Sequence, residues 1–202
     1  MDRKLEQYLP TGPGFFVEAG ANDGYLQSNT YYLERFKGWS GVLVEPIPEL
    51  FDRCVVERPR SMVFNCALVR EGYPDPTVRM HYGGLTSVVS GARGSTEADE
   101  EHVRVGNPFG WDRNYFIDVP ARTLSSVLDE ADAKTIDLLS LDVEGYEEEA
   151  LLGLRLESHA PRLVLIEALE TERRASIRNA LGTSYELVTE FSPTDLLFRL
   201  RG

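Results

Sequence analysis

Phe15-Phe16-Val17-Glu18-Ala19-Gly20-Ala21-Asn22-Asp23-Gly24 is an apolar strand run that ends in a carboxylate and a turn bracketed by two glycines. Gly20 and Gly24 permit positive φ and the close approach of a ligand where a Cβ would collide. A second apolar run, Val42-Leu43-Val44-Glu45, ends in another acid. Glu45 follows Gly24 by about the 20 residues that bring a carboxylate onto a ribose diol in nucleotide-binding strand-helix-strand units. The dinucleotide pattern G-x-G-x-x-G needs glycine at positions 22 and 25, where this chain has Asn22 and Tyr25. A G-x-x-x-x-G-K-[ST] phosphate loop is also missing, so the turn is expected to hold a nucleoside without phosphates. S-adenosylmethionine fits that description.

Working outward, the segment from Ser28 to Lys37 has helical periodicity and stops at Gly38, and Glu45-Pro46-Ile47-Pro48 leads into a helix closed at Arg58-Pro59. A third strand is expected at Met62 to Cys66. Strands alternating with helices imply a parallel sheet with right-handed crossovers. From Pro74 the rhythm changes. Thr77 to Tyr82 alternates like an antiparallel strand, and the interval from Gly83 to Asn114 carries Gly, Ser and acids without sustained periodicity, which predicts an inserted loop or lid at residues 83–114 of a single domain spanning 1–202. Beyond it, Thr123 is placed to cap a helix through Leu128, Ile136 to Asp142 and Leu163 to Glu167 read as buried strands, and Tyr185 to Phe191 with Asp195 to Leu200 read as a closing hairpin.

The bulk composition narrows the function. With 33 acidic against 21 basic side chains the net charge is -12, which repels nucleic-acid backbones and anionic membrane surfaces. Cys54 and Cys66 form neither a C-x-x-C motif nor an extracellular disulfide framework, and no stretch of about 18 apolar residues occurs, so a cytoplasmic protein with no membrane span is expected. A homo-oligomer is compatible with all of this.

In an open parallel sheet, ligands bind beyond the carboxyl ends of the strands. Glu18, Glu45, Asp142 and Glu167 all fall at such ends in this reading. Glu45 is the candidate for the ribose hydroxyls, and Glu18 or Asp142 for the methionine ammonium or sulfonium, while the bland alternative for each acid is a helix cap. Cys66-Ala67 at the end of the third strand is placed to flank the adenine.

Glu18-Ala19-Gly20-Ala21-Asn22-Asp23-Gly24, Val44-Glu45-Pro46, Val119-Pro120-Ala121-Arg122-Thr123-Leu124 and Asp137-Leu138-Leu139-Ser140-Leu141-Asp142-Val143-Glu144-Gly145-Tyr146-Glu147 together resemble the FkbM family of S-adenosylmethionine-dependent methyltransferases. The resemblance spans Phe15 to Glu167 in motif order and spacing. It implies an α/β, Rossmann-like seven-stranded class I methyltransferase fold, a mostly parallel sheet with a C-terminal antiparallel hairpin. It also implies methyl transfer, usually to a hydroxyl oxygen, with natural-product, sugar or other small-molecule acceptors. It assigns cofactor contacts to Glu18, Gly20, Gly24 and Glu45 and the reaction centre to Asp142 and Glu144; the turn and strand-end reading adds Asn22, Asp23, Pro46, Cys66, Ala67 and Asp142 to the candidate cofactor contacts.

Methyl transfer from a sulfonium is an in-line displacement, so the protein has to align the acceptor and take up its proton. Asp142, Glu144 and His81 are the base candidates, with His102 as a further imidazole near the insert. A divalent cation such as magnesium on Asp142 and Glu167 is the other route to a more acidic hydroxyl. The reading from a different class is a methyltransferase fold that binds cofactor or partner without turnover.

Overall fold

The apolar runs form strands buried on both faces, as a helix-covered parallel sheet requires. The computed structural model describes residues 2–106, 113–168 and 171–202. In chain order its strands are β1 (Phe15–Ala19), β2 (Ser40–Val44), β3 (Met62–Phe64), β4 (Ala67–Leu68), β5 (Thr77–Tyr82), β6 (Val88–Val89), β7 (Tyr115–Arg122), β8 (Leu138–Leu141), β9 (Leu163–Glu167), β10 (Tyr185–Glu190) and β11 (Asp195–Leu200). The α-helices are α1 (Asp2–Leu5), α2 (Tyr31–Lys37), α3 (Pro48–Glu57), α4 (Thr96–Gly106), α5 (Leu124–Glu130), α6 (Glu147–Leu152), α7 (Leu156–His159) and α8 (Thr171–Leu181).

Among the described residues, seven strands form one sheet in the order β10-β11-β9-β8-β1-β2-β3. β1 pairs in parallel with β2 on one side and β8 on the other, so the strand order reverses at the carboxyl end of β1. β11 runs antiparallel between β9 and β10, as the hairpin reading anticipated. Val17, Val42, Leu139, Val164 and Phe198 pack on one face with Leu124, Val127, Ala150, Leu151, Ile177 and Leu181. Phe16, Leu43, Leu138, Leu165 and Leu197 pack on the other with Leu5, Leu33, Trp39 and Cys54. No helix among the described residues is long and apolar enough to cross a membrane.

Three expectations change. The third strand ends at Phe64, because the Asn65 side-chain amide turns to donate to the Glu45 and Pro46 carbonyls at 2.9 and 2.8 Å, and Ala67–Leu68 then joins a different sheet. The helix expected from Ser28 starts at Tyr31, since Ser28 and Thr30 are drawn to Glu18. The interval after Gly83 is structured where described. It holds β6 and α4, and β6 joins a four-stranded sheet in the order β4-β7-β5-β6, with residues 107–112 of the expected lid outside the described residues. β7 is the strand that sequence reading missed. Pro120 lacks the N–H of a central strand but tolerates its place, because β4 meets β7 only from Ala121 onward.

Arg58, buried at the C-terminus of α3, binds this scaffold together. Its Nε donates to Glu34 at 2.9 Å, its Nη2 to Thr30 Oγ1 at 2.7 Å, and its Nη1 to the Gly24 carbonyl at 3.1 Å and to Glu18 at 3.4 Å. Removing one partner of a buried pair leaves the other charge uncompensated, so Arg58→Met is expected to cost about 3–5 kcal/mol in urea unfolding. An unchanged denaturation midpoint would contradict this placement.

Candidate active site

At the reversal point β1 and β8 approach so closely that residue 20 has no room for a side chain. A Cβ on Gly20 would stand 1.8 Å from the Asp142 carbonyl oxygen, and Gly20 also has φ of +81°. The Gly20 and Ala21 N–H groups both donate to the Val44 carbonyl, so the turn leaving β1 is fastened over β2. A cavity enclosing about 830 Å³ of empty space, its open mouth included, lies beyond these strand ends. One wall is the turn, with Gly20, Asn22, Leu26 and Gln27. The next walls are Val44 to Ile47 after β2, Cys66 to Leu68 leading through β4, and Asp142 to Glu144 with Tyr146 after β8. Met80 and Val89 of the smaller sheet, with Gly84 and Ser87 of the turn between them, close the top.

Glu45 is the anchor of this cavity. Its two carboxylate oxygens accept from the backbone N–H of Asn22 and of Ile47, both at 2.8 Å. Full burial nevertheless pushes its carboxyl up to about 8, against the lowering effect of those N–H groups. Asp142 is pushed up to about 8, first by burial and then by the charges of Glu167, Glu144 and Glu147, and its buried Oδ1 has no hydrogen-bond partner. Glu144 rises to about 7, first by burial and then by Glu167 and Glu147, while Arg93 opposes the rise. Its Oε2 lies 2.8 Å from His102 Nε2.

Of the residues named from sequence, Gly20, Asn22, Glu45, Pro46, Cys66, Ala67, Asp142 and Glu144 meet on this one cavity. The others are placed elsewhere. Glu18 lies inside β1 on the face opposite Val17, and both its oxygens are taken: one by the Asn29 N–H at 2.7 Å, the other by the Ser28 and Thr30 hydroxyls and Arg58. It therefore fastens the loop from beneath instead of facing a ligand. Asp23 accepts from the Tyr25 and Leu26 N–H groups and shapes the turn, and Gly24 packs on Arg58 and Cys54. His81 fails as a base by strand alternation: Met80 faces the cavity, so His81 turns away, stacks on Phe116 and meets Asn114 at 2.6 Å.

Glu167 stands behind Asp142 and is itself raised, chiefly by burial. No group of three or more His, Cys, Asp or Glu side chains among the described residues could hold a metal, so the expected Asp142–Glu167 magnesium site is not found. The cavity residues that sequence reading missed, notably Met80, Ser87 and Val89, arrive through pairing of the smaller sheet, which no local pattern announces. Burial raises the Cys66 thiol to about 12, so it serves as an apolar wall.

The model of the methyltransferase FkbM domain matches residues 18–195. The chain belongs to the FkbM methyltransferase family. This FkbM methyltransferase has the class I fold of S-adenosylmethionine-dependent enzymes, as two solved structures show. A TehB-like SAM-dependent methyltransferase from Corynebacterium glutamicum is similar at 12% identity, with a TM-score of 0.51 over 99% of this chain and 86% of that one. A precorrin-6y C5,15-methyltransferase from Geobacter metallireducens is similar at 8% identity, with a TM-score of 0.52 over 100% of this chain and 86% of that one. Comparison with curated proteins gives no match.

The residues fit S-adenosylmethionine. Glu45 can accept the ribose hydroxyls, the unpartnered Asp142 Oδ1 can receive a cationic group, and glycine at position 20 leaves the approach to the strand ends clear. Gly20→Ala is expected to abolish S-adenosylhomocysteine binding, as read by calorimetric titration. The ligand-free protein should also lose stability as pH rises. Carboxyls at about 8 and about 7 bind protons in the folded state that the unfolded chain has already released, so their contribution is complete below the unfolded values of 3.8 and 4.5 and lost by about 8. Thermal melting between pH 5 and pH 8 checks this, and Asp142→Asn should flatten the slope.

Proposed function

We propose that this methyltransferase modifies a hydroxyl oxygen of a small molecule, natural product or sugar. The observation that carries the reading is the placement of two carboxyls raised toward neutrality, Asp142 and Glu144, on the same cavity as the ribose anchor Glu45. A base with its pKa near the working pH takes a proton most effectively in the transition state. The bound cofactor supplies an electrophilic methyl group on its sulfonium. Glu45 would fix the nucleoside, and Asp142 would receive its cationic end. Glu144 would accept the proton that the acceptor hydroxyl gives up when it takes the methyl group. The low-dielectric wall of Ile47, Met80 and Val89 limits competition from water. A cytoplasmic setting belongs to this reading, supported by two free, buried thiols.

Ribose hydroxyls donate to an ionised Glu45 and favour that form. Binding of S-adenosylhomocysteine should therefore release protons at pH 7 and tighten as pH rises to about 8. Titrations in two buffers of different ionisation enthalpy measure the release. Glu45→Gln is expected to weaken binding about 10- to 100-fold, the range of a hydrogen bond to a charged group. NAD should not bind. A screen of hydroxyl acceptors with labelled S-adenosylmethionine tests the chemistry itself, and cofactor binding without turnover on any hydroxyl would favour a non-catalytic role.

A further inference from the structure

Glu144 presents an arrangement that its own loop does not explain. It holds φ at +55°, a region that residues other than glycine seldom enter. The N–H groups on either side of it, of Val143 and Gly145, both donate to Glu147 Oε1, which leaves the Glu144 carboxylate to be held from outside the loop. The holder is His102, 42 residues away on α4, with Nε2 at 2.8 Å from Oε2.

α4 is fixed well enough to serve. Buried Asp99 accepts from the Gly91 and Arg93 N–H groups at 2.5 and 3.1 Å, and α4 packs against the short turn that carries Gly84 to Thr86. Arg173 of α8 donates to the Gly145 carbonyl and, at 3.0 Å, to the Ala92 carbonyl, so a second tie holds the same two segments together. His102 is faced by Glu144, Arg93, Asp99 and Arg173. Glu144 is faced by His102, Asp142, Glu167, Glu147 and Arg93. Burial, and then Arg93, lowers the imidazole below its usual range, which keeps it neutral near pH 7 and able to offer Nε2–H to a carboxylate.

We propose that His102 is a positioning residue for methyl transfer: its Nε2–H holds Glu144 Oε2, so that the other carboxylate oxygen is presented to the acceptor hydroxyl and the insert completes the reaction centre. His102 itself is not on the cavity wall. The inference rests on the hydroxyl-methylation reading above.

The test uses the full chain saturated with S-adenosylhomocysteine, in wild type, His102→Ala, His102→Gln and Glu144→Ala. Wild type that fails to bind would sink the methyltransferase reading itself. Given binding, nitrogen-15 NMR of the imidazole should show His102 protonated at Nε2 with a slowly exchanging proton that is lost in Glu144→Ala. A ring protonated at Nδ1 alone, or one indifferent to Glu144→Ala, overturns the proposal. With the acceptor found by screening, His102→Ala should lower kcat about 100-fold, the scale of misplacing a reacting group by about 1 Å, with cofactor affinity within about twofold of wild type. His102→Gln, whose amide N–H replaces the donor, should recover about tenfold of that loss. Full kcat in His102→Ala would refute it.

Discussion

Because a Cβ at position 20 would stand 1.8 Å from the Asp142 carbonyl, the ends of β1 and β8 can meet only with glycine between them. That contact positions everything around the cavity. Parallel pairing of β1 with both β2 and β8 sets Val44-Glu45 on one flank of Gly20 and Asp142-Val143-Glu144 on the other. Glu45 and the raised carboxyls of Asp142 and Glu144 are thus held on opposite sides of one narrow backbone crossing.

The acids around that crossing divide into two populations that differ in their partners. Glu18 and Glu34 lie below the loop, and both bind Arg58 and nearby hydroxyls, so their charges are compensated within the protein. Glu45, Asp142 and Glu144 lie above it among like charges and apolar walls, with no cationic side chain lining the cavity among the described residues. The first group stabilises the scaffold. The second holds desolvated groups that a cationic or hydroxyl-bearing ligand would satisfy, the arrangement in which functional sites concentrate perturbed acids.

Much of this was legible in the chain. β1, β2, β5 and β9 follow from continuous or alternating apolar runs, and Thr123 caps α5 through the Ser126 N–H as its position implies. Glu45 could be placed because its distance from the glycine turn is itself the signal. Glu18 was misread because chain position shows an acid near a strand end but not the side of the strand from which it projects, nor that Arg58 comes to meet it 40 residues later. β7 was hidden by Pro120. The roof over the cavity was illegible for a different reason, since β5, which carries Met80 and pairs locally with Val89, is held in place by β7, whose Ile117 opposite Met80 lies far along the chain.

β4 and the end of β7 run side by side, with Ala67 opposite Ala121 and Leu68 opposite Arg122. The chain therefore leaves the cofactor half and returns to it at adjacent points, and residues 69–120 form an excursion closed at its own neck. Met80, Ser87 and Val89 of the cavity wall and His102 beside Glu144 all belong to it, so one segment, entered and left at a single point, supplies them all.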